Sequence, residues 1–110
     1  MNLSINTDRL DGIAVVHVGG DLDVYTVPRL KEALEGAADS GENLILDLSQ
    51  VHFIDSTALS VLVTAYQQSQ CAGGSFRLVV DDPYLLKILC ITGFDGLFPI
   101  YSQVNEAVSG

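Results

Sequence analysis

One short stretch concentrates residues able to do chemistry: Asp55, Ser56, Thr57 and Ser60, within Ile54-Asp55-Ser56-Thr57-Ala58-Leu59-Ser60. Leu59, Leu62, Val63 and Tyr66 recur there at helical spacing, which places Ser56 where a helix begins. A serine at that point can cap free backbone N–H groups, and the same groups, with the helix dipole, favour added negative charge. The position therefore has the physics of a phosphate seat. Thr57 is a secondary candidate phosphoacceptor in the same turn, and Ser60 reads as a solvated helix residue. A second acidic group, Asp21 and Asp23, flanks Leu22 after Gly19-Gly20, where turn chemistry and solubility are the ordinary uses of aspartate.

Enzymatic uses of these residues are poorly supported. Ser56 with His52 makes no convincing triad, because no orienting acid or oxyanion hole is apparent and the Gly-x-Ser-x-Gly elbow is absent. A carboxylate pair drawn from Asp21, Asp23 and Asp55 would need two unlike environments around a cleft. The same three as oxygen ligands for a divalent cation lack the dense spacing of a metal-binding loop. His17, in an apolar strand, and His52, before Phe53, read as packed or surface histidines. Cys71 and Cys90 have no Cys-x-x-Cys spacing, so two reduced, packed thiols and no zinc site are expected. No phosphate-binding glycine loop occurs. The expectation is a protein without catalytic residues, metal or cofactor.

Composition narrows the partners. With 110 residues and 48% hydrophobic content, the chain suits one compact domain spanning 1–110. Five basic against fourteen acidic side chains give a net charge of -9. That argues against nucleic acid or an anionic membrane as partner and for a basic protein surface. The basic residues Arg9, Arg29, Lys31, Arg77 and Lys87 are scattered. No basic N-terminal region leads into an apolar stretch and no window approaches a membrane span, so a cytoplasmic location without membrane insertion is expected.

The elements that must position Ser56 follow from periodicity. Leu3, Ile5 and Thr7 alternate as a first strand, Asp11-Gly12 gives a tight turn, and Ile13 to Val18 forms a second, antiparallel strand. After the connection Asp21 to Tyr25, Thr26 caps a helix opened by Val27-Pro28, with Val27, Leu30, Leu34, Ala37 and Ala38 as its apolar stripe. Ser40-Gly41 ends that helix, and Leu44 to Leu48 is a central strand covered on both faces. A short polar crossing then leads to the helix at Ser56, which stops at Ala72-Gly73-Gly74. Phe76 to Val80 is the next strand. Asp82 caps a third helix beginning at Pro83, packed through Tyr84, Leu85, Ile88, Leu89 and Ile91 and ended by Gly93. Leu97 to Tyr101 makes a final strand, and Ser102 caps a last turn with Val104, Ala107 and Val108 inward. The sum is an α/β fold: a mixed β-sheet with an N-terminal hairpin and helices packed on it.

The run Asp47-Leu48-Ser49-Gln50-Val51-His52-Phe53-Ile54-Asp55-Ser56-Thr57-Ala58-Leu59 resembles the signature of STAS-domain anti-sigma factor antagonists, in which the serine after the aspartate is phosphorylated. Gly20-Asp21-Leu22-Asp23, Thr92-Gly93-Phe94 and Leu97-Phe98-Pro99-Ile100-Tyr101 extend the resemblance over almost the whole chain. One departure is Ala58, where the family usually has glycine. The resemblance implies a STAS domain whose unphosphorylated form binds an anti-sigma factor of the serine kinase type and releases a sigma factor. Phosphorylation of Ser56 by that kinase would end the complex, and a serine phosphatase would restore it. It also implies a partner-facing surface of Asp21, Asp23, Val24, Tyr25, Asp55, Ser56, Thr57, Leu59 and Ser60. An alternative within the fold is a STAS scaffold or regulatory subunit of a transporter or signalling complex, without a phosphorylation cycle.

Overall fold

The computed structural model of the chain describes residues 3–37 and 43–109. Five strands lie in one sheet in the order of the chain: β1 (Leu3–Leu10), β2 (Ile13–Leu22), β3 (Leu44–Ile54), β4 (Phe76–Val79) and β5 (Ile100–Tyr101). Between and after them come α1 (Val27–Ala37), α2 (Ser56–Cys71), α3 (Pro83–Thr92) and α4 (Val104–Ser109). β1 and β2 are antiparallel, and every later pairing is parallel. Asp11 and Gly12 both have positive φ, 52° and 79°, which gives the two-residue turn the twist a hairpin requires.

Sheet order fixes where the helices go. Each of α1, α2 and α3 joins neighbouring parallel strands, and the sheet advances in one direction at every step. Crossovers of one hand then deposit successive helices on one face. The main core confirms this, with Leu30 and Leu34 of α1, Leu62 of α2 and Leu85 and Leu89 of α3 packed on Val16, Leu46 and Leu78. The opposite face holds a smaller cluster, Ile13, Val15, Ile45 and Val79, covered by Ala107 of α4.

Beside that cluster the second face turns polar. His17 on β2 has Nδ1 2.7 Å from Asp47 Oδ2 on β3 and Nε2 3.2 Å from Asp8 Oδ2 on β1. One imidazole thus ties three strands together. The Asp47 side chain is only 10% exposed and also accepts a 3.0 Å bond from the Ser49 N–H.

Several boundaries differ from the sequence expectation. β1 runs on to Leu10 and β2 to Leu22, well past Val18. The central strand does not stop at Leu48, because β3 continues to Ile54 with two register shifts against β2, between His17 and Gly19 and between Gly20 and Asp21. Each shift adds a residue on β3, so inward positions fall at Leu48, Val51 and Ile54, every third residue. β4 ends at Val79 rather than Val80, and β5 is only Ile100–Tyr101, with a 3-10 turn over Phe94–Gly96 before it. Ser102 lies two residues ahead of α4, so it is not the cap; its hydroxyl donates to Glu106 Oε1 at 2.7 Å.

In α3 the expected Asp82 cap and Gly93 stop are present, with Asp82 accepting from Tyr84 N–H and Gly93 at φ 81°. Tyr84 and Ile91 are not core residues, however: they are 52% and 74% exposed. The α3 core face is narrow, and both project beside it. Cys71 and Cys90 are free thiols but exposed rather than packed. The expected helix stop at Ser40-Gly41, with Ala38, lies outside the described residues.

Removing the imidazole leaves the Asp47 carboxylate nearly buried with a single backbone partner. His17→Ala is therefore expected to cost about 1–3 kcal/mol, measured by chemical denaturation. The His17→Ala/Asp47→Ala pair should cost less than the sum of its single variants; strict additivity would show that the two groups do not interact.

Candidate functional site

A single residue, Asp55, separates the end of β3 from the start of α2. The Asp55 N–H donates to the Leu22 carbonyl at 3.1 Å, so strand pairing with β2 holds up to the helix boundary. Asp55, not Ser56, is the N-cap: its backbone is extended at φ -108° and ψ 179°, and its Oδ1 accepts from the Ala58 N–H at 3.0 Å. The reason is geometric, since the cap must be non-helical and Ser56 is already the first helical residue. This changes the chemistry of the turn. The carboxylate occupies one N–H of the helix start, and the Ser56 hydroxyl is left outside the capping geometry.

Ser56 is exposed, and among the described residues no hydrogen bond engages its hydroxyl, while its carbonyl accepts from Ser60 Oγ at 3.1 Å. Thr57 and Ser60 are exposed as well. Leu59 is not on that side of the helix: it is 8% exposed and belongs to the core, so it is not available to a partner. Ala58 is fully buried in the same core. Its methyl group therefore faces the sheet and adds no bulk on the exposed side of the turn.

The loop after β2 is the neighbouring wall, because Leu22 pairs with Ile54 and accepts from Asp55. Asp23 organises this loop. Its Oδ1 accepts from the Tyr25 N–H at 2.9 Å and the Thr26 N–H at 3.1 Å. The buried Thr26 hydroxyl accepts from the Asp23 N–H at 2.9 Å and donates to the Asp21 carbonyl at 2.8 Å. With its backbone so held, the loop turns Val24 and Tyr25 outward, 57% and 73% exposed. Asp21 is exposed beside it.

The structure thus brings Asp21, Asp23, Val24, Tyr25, Asp55, Ser56, Thr57 and Ser60 to one end of the sheet. A groove of about 210 Å³ between α1 and α2 adjoins them, lined by Lys31, Glu35, Thr57, Ser60, Val61 and Thr64 among others. Lys31 and Glu35 were not singled out in the sequence. Their signal is only positional, as exposed residues beside the apolar stripe of α1. His52 is exposed, with Nδ1 3.7 Å from Asp82 Oδ2, and is unconnected to Ser56 by any described bond. Among the described residues no cluster of His, Cys, Asp and Glu could hold a metal, and no helix is long and apolar enough to cross a membrane.

Comparison with known proteins agrees with this architecture. The family model described as STAS domain matches residues 4–107. The anti-sigma-B factor antagonist of Bacillus subtilis strain 168 is 31% identical over 108 residues, which is 98% of this chain and 99% of the relative. The crystal structure of an anti-sigma factor antagonist from Mycobacterium paratuberculosis superposes with a TM-score of 0.86 at 27% identity, covering 98% of this chain and 92% of that one. The phosphorylated form of SpoIIAA, a Bacillus cell fate determinant, shares the fold at 17% identity with a TM-score of 0.74, covering 96% of this chain and 97% of that one. With a capped strand-to-helix junction, an exposed serine at its first turn and matches of this extent, the chain belongs to the STAS domain family of anti-sigma factor antagonists.

Proposed function

We propose that this protein is a cytoplasmic, non-enzymatic binding switch: unmodified, it binds an anti-sigma factor that is also a serine kinase, and so frees a sigma factor. Phosphorylation of Ser56 by that kinase ends the complex, and a serine phosphatase restores it. The observation that carries the reading is the Ser56 hydroxyl, exposed and unengaged at the first helical position, beside a cap that does not need it. The relatives' own designation as anti-sigma factor antagonists supplies the partner class.

The physical logic is one of local tolerance and remote effect. Phosphate adds about 1.5 to 2 negative charges at neutral pH. The α2 N-terminus favours that charge by roughly 0.3–1 kcal/mol, which opposes repulsion from the Asp55 carboxylate. The fold therefore has no reason to change. A docked partner, in contrast, meets new bulk and charge in the middle of its contact. The same surface as a scaffold without phosphorylation is separated by whether Ser56 is modified at all. Ala58, the departure from the usual glycine, is buried and does not favour that alternative.

Purified anti-sigma factors of the serine kinase type from the source organism, incubated singly with the protein and ATP and read by intact mass, test the assignment. One phosphate is expected on the wild type and none on Ser56→Ala, which keeps binding, whereas Ser56→Asp binds at least about tenfold more weakly. Undiminished phosphate on Ser56→Ala would remove Ser56 from the mechanism.

The cap makes a separate prediction. Asp55→Ala should lose about 0.5–2 kcal/mol of stability, and Asp55→Asn, which keeps a capping oxygen, far less. Equal thermal midpoints for the alanine variant and wild type would contradict the capping role.

A further inference from the structure

The carboxyl ends of β2, β3 and β4 lie at one end of the sheet, because the three strands are parallel. In open α/β sheets that end gathers the loops and is where ligands bind. Ser56 and the loop after β2 occupy only part of it. Farther across, Phe53 stands opposite Asp21 in the β2–β3 register. The His52–Asp82 contact at 3.7 Å then joins the end of β3 to the start of α3. Tyr84 follows in the first turn of that helix, where Asp82 holds its backbone N–H at 2.8 Å.

Two properties set this end apart. Of the eight large hydrophobic residues exposed among the described residues, four are here: Val24, Tyr25, Phe53 and Tyr84. Phe53 is 42% exposed and Tyr84 52% exposed, and neither is needed for the core. The second property is charge. Residues 21–26, 52–57 and 80–84 hold five aspartates, Asp21, Asp23, Asp55, the exposed Asp81 and Asp82, and no lysine or arginine. The nearby cations stand at the α1 side of this end: Arg29 is turned to the Leu3 carbonyl at 3.0 Å, and Lys31 lines the groove with Thr57 and Ser60. Aromatic side chains within an acidic rim are the composition of a docking surface for a basic protein face, in which rings give affinity and charges give approach and orientation.

We propose that the anti-sigma factor's footprint continues past Ser56 across Phe53 to Tyr84 at the start of α3, and that it meets this end with a basic surface carrying apolar side chains. The proposal rests on the binding switch described above and deepens it. It accounts for Phe53 and Tyr84, which lie outside the Ser56 turn and the loop from Asp21 to Tyr25. It also places the phosphate inside a larger contact, so that modification acts at the Ser56 turn itself, through bulk and a charge that the docked surface would have to desolvate without a partner.

The test is calorimetric titration with the anti-sigma factor that binds the wild type in the phosphorylation assay, using full-length variants. Phe53→Ala and Tyr84→Ala should each raise Kd by about tenfold. Asp21→Asn combined with Asp81→Asn should raise Kd at low salt and flatten its dependence on salt. Ile91→Ala, an exposed apolar change at the far end of α3, should leave Kd within about twofold. Thermal midpoints establish that the variants are folded; if Phe53→Ala is not, Tyr84→Ala and the aspartate pair carry the same test. Wild-type Kd in Tyr84→Ala and in the aspartate pair, with binding lost in Ser56→Asp, would overturn the extended footprint and leave the switch standing. A wild type that binds no such factor overturns both.

Discussion

The arrangement depends on how β3 ends. It is the central strand, paired with β2 on one side and β4 on the other, and its inward residues Leu44, Leu46, Leu48, Val51 and Ile54 lie beneath the helices. At its last step the backbone of Asp55 is held by Leu22 while the carboxylate holds the backbone of Ala58. One residue therefore fixes both the end of a strand and the start of a helix. Freedom at Ser56 is a consequence of that double constraint. The rigid neighbour performs the structural work of the turn, so the serine hydroxyl can be modified without an internal bond being broken.

Much of this was legible in the residues. Asp11-Gly12, Asp82-Pro83 and Gly93 each announced a boundary because only a few residue types suit positive φ, a first helical turn or a cap. The second half of β3 was not legible. Ser49-Gln50-Val51-His52-Phe53 lacks alternation, and the reason is the pair of bulges that bring every third residue inward. A period of three in a strand imitates a polar crossing. The same blind spot bears on the cap: a strand that stops at Leu48 leaves Ser56 first in line for a role that Asp55 fills. Cys71, Cys90, Tyr84 and Ile91 were misplaced for a different reason, since apolar or soft side chains beside a narrow helix stripe have no sequence mark of which side they take.

The two faces of the sheet are stabilised by different means. Beneath α1, α2 and α3 the interior is aliphatic, with Phe98 meeting Phe76, Tyr66 and Phe94 edge to face at 5.4 to 6.0 Å. The other face is only partly covered by the six-residue α4, and where that cover ends the strands are held by His17 between two carboxylates. At Gly19 the polar face is also crowded: a Cβ there would lie 3.0 Å from Ser4 Oγ and 3.2 Å from Gln50 Cβ. Close strand packing, rather than unusual backbone geometry, accounts for glycine at that position.

The unbroken strand order from β1 to β5 also bears on how the chain comes into being. Every strand adds next to the one made just before it, so no segment has to be inserted between two that are already paired. Loop closure at each step spans only neighbouring elements. During synthesis, which runs from the N-terminus, the hairpin can form first and serve as a template for β3, and the turn at Ser56 then has its supporting strand pair before α3 and α4 have left the ribosome. Of the described elements α4 comes after all the strands, and it closes the small cluster on the reverse face. The end of the sheet that carries Ser56 is thus assembled early and the back of the sheet sealed late.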